Sequence, residues 1–264
     1  LPRDNGAIAL YSSGGAALLD GSASVVEFTK SNAVTPHMSV GGGTLSSLTI
    51  NGFDVSTDSE TGAIRGGTLG AQFEIRDEMA PRAQVQLDAF ARDLVERFQD
   101  PGVDPTLGVG DAGLFTDNGA SFDPLNEVGL SERLQINAAV DSRQGGEAWR
   151  IRDGIGAVVP GNSGNASILQ SLDDALDTAR TPGSGNFGTG SFDAAGLMST
   201  MMSFLTSSRA NEEQHLTFAS TQFQELTEMQ LADGVDSDEE LRRLILIEQA
   251  YAANARIIET VDEM

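Results

Sequence analysis

There is no cysteine in this chain, which excludes thiol catalysis, disulfides and thiolate metal sites and leaves packing alone to hold the fold. Lysine is nearly absent as well: Lys30 stands alone among 16 basic residues, against 39 acidic ones, for a formal charge of −23. A field of that sign repels nucleic acid and anionic membrane surfaces, and no basic patch overrides it. No apolar run approaches the ~18 residues that a membrane-spanning helix needs, so no membrane insertion is expected. Histidine occurs only as His37 and His215, too few for a histidine-based metal cage, and no H-E-x-x-H motif is present. There is no G-x-S-x-G elbow: Gly161-Asn162-Ser163-Gly164 has the wrong spacing. Gly154-Ile155-Gly156 lacks the third glycine and the helix of a dinucleotide fingerprint. Asp104, Asp111, Asp117 and Asp123 lack the alternating acidic spacing of a calcium loop. The sequence therefore offers no catalytic, metal or cofactor-binding residue, and no cofactor is implied.

What is abundant is glycine, 30 residues, in turn clusters that divide the chain. Residues 1–66 read as a β-rich module, with strand candidates at Ala7–Tyr11, Ala23–Phe28 and Leu45–Ile50. Asn51-Gly52 between Ile50 and Phe53 is the sharpest hairpin signal, since both turn residues tolerate positive φ. Residues 67–100 turn helical, with Leu69, Phe73, Ala80, Ala83, Leu87, Phe90, Leu94 and Phe98 at 3–4 spacing. Pro81 interrupts them and predicts a kink or two meeting helices. Residues 101–164 form a β/irregular module, with strand candidates at Leu130–Ile136 and Trp149–Ile151. Residues 165–236 return to helix, first over Asn165–Thr178 on Ile168, Leu169, Leu172, Ala175 and Leu176. The longest helical stretch follows, over 193–232. Leu197, Met198, Met201, Met202 and Leu205 pattern its first part, and Leu216, Ala219, Phe223 and Leu226 its second; the polar Thr206–Gln214 between them predicts an exposed middle or a break. His215 falls in this helix as a surface residue. The class is α+β: a long α-hairpin or helical bundle region with small β modules appended, in an elongated multi-domain chain.

The segment 237–264 is the best specified of all. Leu244, Ile247, Tyr251, Asn254, Ile258 and Val261 step by 3, 4, 3, 4 and 3, the spacing of a helix seam that meets another helix. Leu241 and Ile245 belong to a second row that widens this face. Ser237-Asp238-Glu239-Glu240 has the form of a capping box, and Gly234 suits the end of the preceding helix. Leu241, Leu244, Ile245, Ile247, Tyr251, Asn254, Ile258 and Val261 are the candidate assembly interface. Tyr251 and Asn254 suggest register control, because a buried amide needs one specific neighbour. The alternative is an ordinary amphipathic helix packed on its own domain.

Several of these residues carry a likeness. Gly234-Val235-Asp236-Ser237-Asp238-Glu239-Glu240, then Gln249-Ala250-Tyr251-Ala252-Ala253-Asn254-Ala255-Arg256-Ile257-Ile258 and Thr260–Met264, resemble the carboxy-terminal signature of bacterial flagellar axial proteins. Gly66-Gly67-Thr68-Leu69-Gly70, Arg76-Asp77, Pro81 and Leu87-Asp88 resemble a run of the hook-associated protein 1 family, the hook–filament junction proteins. Asp236 and Ser237 replace the usual Asn and Leu, and Phe98, Gly102 and Asp104 keep a shortened form of a further family pattern. The resemblance implies a non-enzymatic structural subunit, exported through the flagellar secretion channel to the extracellular flagellum. Its implied partners are other axial proteins: hook protein, second junction protein and its own copies, with an export chaperone before secretion. It also implies a helical pair whose amino-terminal half lies in a longer protein, in keeping with a chain that begins Leu1-Pro2-Arg3-Asp4 without Met or signal pattern. Beside this stand a hook or rod relative and, from another class, a secreted acidic carbohydrate-binding or hydrolytic β protein.

Overall fold

The computed structural model describes residues 8–232, 241–249 and 251. It divides into two compact units, Leu1–Met202 and Ser203–Met264. The α+β class holds, with short antiparallel sheets and helices.

The first unit opens with two three-stranded meanders. Strands β1 (Leu10–Tyr11), β2 (Ala17–Asp20) and β3 (Ser22–Ala23) form one, and β4 (Val26–Phe28), β5 (Leu48–Ile50) and β6 (Phe53–Val55) the other. The candidate Ala23–Phe28 thus divides between two sheets, because Val25 N–H turns aside to donate to Asn51 Oδ1 at 2.9 Å. Asn51 and Gly52 make the tight turn between β5 and β6, with φ of 54° and 79°. The register pairs Val26 with Ile50 and Phe53, and Phe28 with Leu48 and Val55, which puts all six on one apolar face. Leu48 and Ile50 at its centre are buried, and Phe28 meets Phe73 edge-on at 5.4 Å.

Phe73 belongs to a helical run in three parts: α1 (Gly67–Glu74), a π-helical turn at Ile75–Met79, and α2 (Ala80–Phe98). The widened turn ends at Met79, two residues before Pro81. Proline has no N–H for the carbonyl of Asp77, and one extra residue per turn relieves the crowding there. The expected interruption is therefore present as a π turn within a continuous run. The expected apolar face is only half right: Phe73 and Phe98 are buried, but Leu69 and Leu87 are exposed. Asp88, Asp93 and Arg97 are buried instead, with Ala89, Ala91 and Val95.

Those three charges are held because each is hydrogen-bonded, which burial requires. Arg97 pairs with Asp93 at 2.5 Å. It also donates to the carbonyls of Ala175 and Thr178, at 2.5 Å each, and of Phe192, at 3.0 Å. The first two are carbonyls at the C-terminal end of α5 (Ser167–Asp177), which lack partners within the helix and carry its negative pole. Asp88 does the converse. Its carboxylate accepts from the amides of Gly129 and Ser131, at 2.8 and 2.9 Å, from the Ser131 hydroxyl and from Gln84. A carboxylate from α2 thereby caps the short helix α3 (Leu130–Arg133) from outside its own sequence.

The capping explains a correction. Leu130–Ile136 is not one strand: its first half is α3, and only Leu134–Ile136 (β8) pairs with β7 (Phe115–Asp117). The strand expected at Trp149–Ile151 is likewise a helical turn, α4 (Arg150–Asp153). Asp153 N–H bonds Trp149 O and Gly154 N–H bonds Arg150 O. Three residues are too few for a period of 2 to be told from 3.6. Ile151 then packs on a small core of Leu107, Val140 and Ile155. Asp104 supports this core from beneath, accepting from Ile155 N–H at 2.7 Å and from the amide and hydroxyl of Thr106. Gly154 and Gly156 are required by this contact, since a Cβ on either would lie within 2.3 Å of Thr106 atoms.

The other three aspartates of the acidic loop region serve their own turns. Asp111 accepts from Gly108 N–H, Asp117 binds Arg133, and Asp123 caps Leu125 and Asn126. Hydrogen bonding also holds the carboxyls of Asp58 (first from the Thr61 hydroxyl), Asp141 (from the Arg143 amide) and Asp153 (from Arg152) below their ordinary value. The stability they add is complete above the unfolded pKa near 3.8 and is lost as pH falls through the lower folded values.

Candidate functional site

Helix α6 (Ala194–Ala232) runs 39 residues without a break. Its opening turns bury Ala194, Leu197 and Met201 in the first unit, while Met202 is half exposed. Beyond them the polar Thr206–Gln214 stretch stays helical, one of the two outcomes its composition allows. The local reasons are visible: Arg209 pairs with Glu213 one turn on at 2.8 Å, an arrangement that supports an exposed helix. The hydroxyls of Thr217, Thr221 and Thr227 bond back to carbonyls four residues earlier, so these β-branched residues leave no donor idle.

In the second unit the described helical residues carry many large apolar side chains open to solvent. Leu216, Phe223 and Leu226 of the expected seam are 70, 71 and 58% exposed. Phe218, Met229 and Leu231, which lie off that seam, are 58–75% exposed as well. Residues 241–249 and Tyr251 are helical. There Leu241, Leu244, Ile247 and Tyr251 are 55–79% exposed and Ile245 45%. Asn254, Ile258 and Val261 lie outside the described residues, as does the turn expected at Asp233–Asp236. Leu246, 65% exposed, is a further apolar side chain that the seam left out; the run Leu244-Ile245-Leu246-Ile247 carries it in plain sight.

Among the described residues from Leu216 to Tyr251, twelve large side chains are thus placed in water. Monomeric proteins rarely expose contiguous apolar patches beyond a few hundred Å², and such patches mark interaction sites. Full burial of each Leu, Ile or Phe is worth about 1.5–3 kcal/mol. A helix that is apolar on more than one side suits contact with several neighbours. Chemically the surface can do one thing, which is to exclude water against another apolar face; His215, exposed among Glu212, Glu213 and Gln214, adds no reactive partner. No helix among the described residues is long and apolar enough to cross a membrane.

Comparison with known families bears on this same stretch. Residues 232–264 match the family described as flagellar basal body rod FlgEFG protein C-terminal. No curated protein and no solved structure matches the chain. The match takes in the helical residues 241–249 and Tyr251 and supports a structural component of the flagellar axis, of the rod and hook type.

Proposed function

We propose that this chain is a non-enzymatic structural subunit that joins hook to filament in the bacterial flagellum, assembling through its terminal helices. The observation that carries the reading is the exposed apolar surface of the second unit, on the segment whose end matches the axial family. Such a surface is costly in a solitary protein and useful in a polymer. The partners are the subunits of hook and filament junction and further copies of this chain, met outside the cell after export with a chaperone.

The seam residues Leu241, Leu244, Ile245, Ile247 and Tyr251, continued by Asn254, Ile258 and Val261, form the interface. A helix gains little from a seam facing water, since most helical stability in proteins comes from the packed face. Ordering and association are then coupled, which holds back assembly until neighbours are present. A hook or rod subunit is the second reading, favoured by the family that residues 232–264 match.

Isolated hooks separate the two. A junction subunit binds their ends and permits filament growth when the remaining filament components are supplied. A hook or rod subunit instead extends tubes of its own, and a protein that does neither is no axial subunit.

A further inference from the structure

The first unit carries a groove that the fold does not use. It is about 300 Å³ in volume and lies between strand β4, the 31–45 loop and helix α1. Leu45 and Phe73 form a buried floor; Phe28, Val34 and Leu69 form exposed apolar walls. That volume is at the lower end of the ~300–1,000 Å³ typical of ligand sites, enough for one or two side chains. Its rim is cationic. Arg76, presented by the π turn, lies 5.4 and 4.8 Å from the ring centres of Phe28 and Phe73, with its charge met by Asp77 at 2.5 Å. Lys30, the one lysine of the chain, has no ion-pair partner among the described residues.

The second unit carries the complement. On α6, Glu212 lies one turn before Leu216, and Glu225 one turn before Met229, so these two of the exposed apolar side chains have a carboxylate four residues earlier on the same face. Glu213 is taken by Arg209, whereas Glu212 and Glu225 have no ion-pair partner among the described residues. From this match, among the described residues, of an apolar slot with a free cation to an exposed leucine with a free carboxylate, we infer that the groove receives the apolar face of α6 from a second copy of this chain, with Leu216 in the slot and Glu212 on Lys30. The inference rests on the axial-subunit reading and extends it. Because groove and seam are different surfaces, the contact is heterologous, the kind that repeats head to tail into rings or helical polymers and does not close as a two-fold dimer.

The absence of cysteine makes the test clean. Val34→Cys and Leu216→Cys variants, both at exposed positions, are mixed in the full chain and oxidised. The expected product is the mixed dimer, with a disulfide from position 34 of one copy to position 216 of the other, in large excess over either homodimer. Lys30→Glu in the groove variant reduces it about tenfold, as loss of an interfacial charge pair does, and Glu212→Lys in the other variant restores it. An excess of the homodimer joined through position 216 of both copies means that seams pair with seams: the groove inference falls and the axial reading stands. Absence of any cross-link from protein that still binds hooks also overturns the groove inference. Absence of both cross-links and hook binding overturns the two together.

Discussion

Arg97→Ala lowers the stability of the first unit by about 3–5 kcal/mol, the cost of leaving a buried charge and its partners without their bonds. Arg97 is 2% exposed and its pair with Asp93 is the most buried in the described chain. Removing it strands the Asp93 carboxylate and three carbonyls, those of Ala175, Thr178 and Phe192. Trp149, the single tryptophan, lies in this unit and reports its unfolding in urea. At about 2–4 °C per kcal/mol for a domain of this size, the melting temperature falls by roughly 10 °C. Arg143→Ala is the control: its side chain is 87% exposed beside Asp141, and an exposed pair is worth about 0–1 kcal/mol. Arg97→Met combined with Asp93→Leu recovers part of the loss, because removing both charges is less costly than orphaning one. Equal effects at positions 97 and 143 would show that the buried network contributes nothing.

Leu244→Asp has the opposite signature. The side chain is 63% exposed, so thermal stability of the soluble chain is unchanged, within about 0.5 kcal/mol as for other surface substitutions. In an assembled seam the new carboxylate is buried without a partner, at a cost of about 3 kcal/mol or more. Binding to hooks then weakens by at least about a hundredfold. Arg242→Ala, on the opposite face of the same helix, leaves binding within about threefold, as a solvated charge at an interface rim does. A Leu244→Asp protein that binds hooks as the parent does would remove the seam from the interface.

How much of this was legible beforehand depended on the range of the interactions. Asn51-Gly52 needs only its own two φ angles, and the turn is where those residues put it. Pro81 acts on the carbonyl four residues back, and the interruption falls there. The polar composition of Thr206–Gln214 allowed either an exposed middle or a break, and the helix runs through it. The buried charges were hidden for the converse reason. Asp88 acts on Gly129 and Ser131, Arg97 on Ala175 and Thr178, and Asp104 on Ile155, none of which any window on the sequence contains. Helical periodicity even favoured Leu87 over Asp88 as the inward residue, since it ranks side chains by polarity and a satisfied carboxylate breaks that ranking. Leu130–Arg133 reads as strand in the sequence for the same reason, its cap being supplied from α2. The groove of Phe28, Lys30, Val34, Leu69 and Arg76 draws on three separate segments, and only the fold brings them together.

Hydrogen exchange of the chain, free and then incorporated on hooks, tests most directly whether the apolar surface of the second unit is where neighbours meet. In the free chain, amides of residues 241–251 exchange far faster than those of Leu87–Phe98, which the packed first unit holds. On incorporation, protection rises over 210–231 and 241–251 and is unchanged over 87–98. Protection already complete in the dilute free chain, or unchanged by incorporation, would contradict the account.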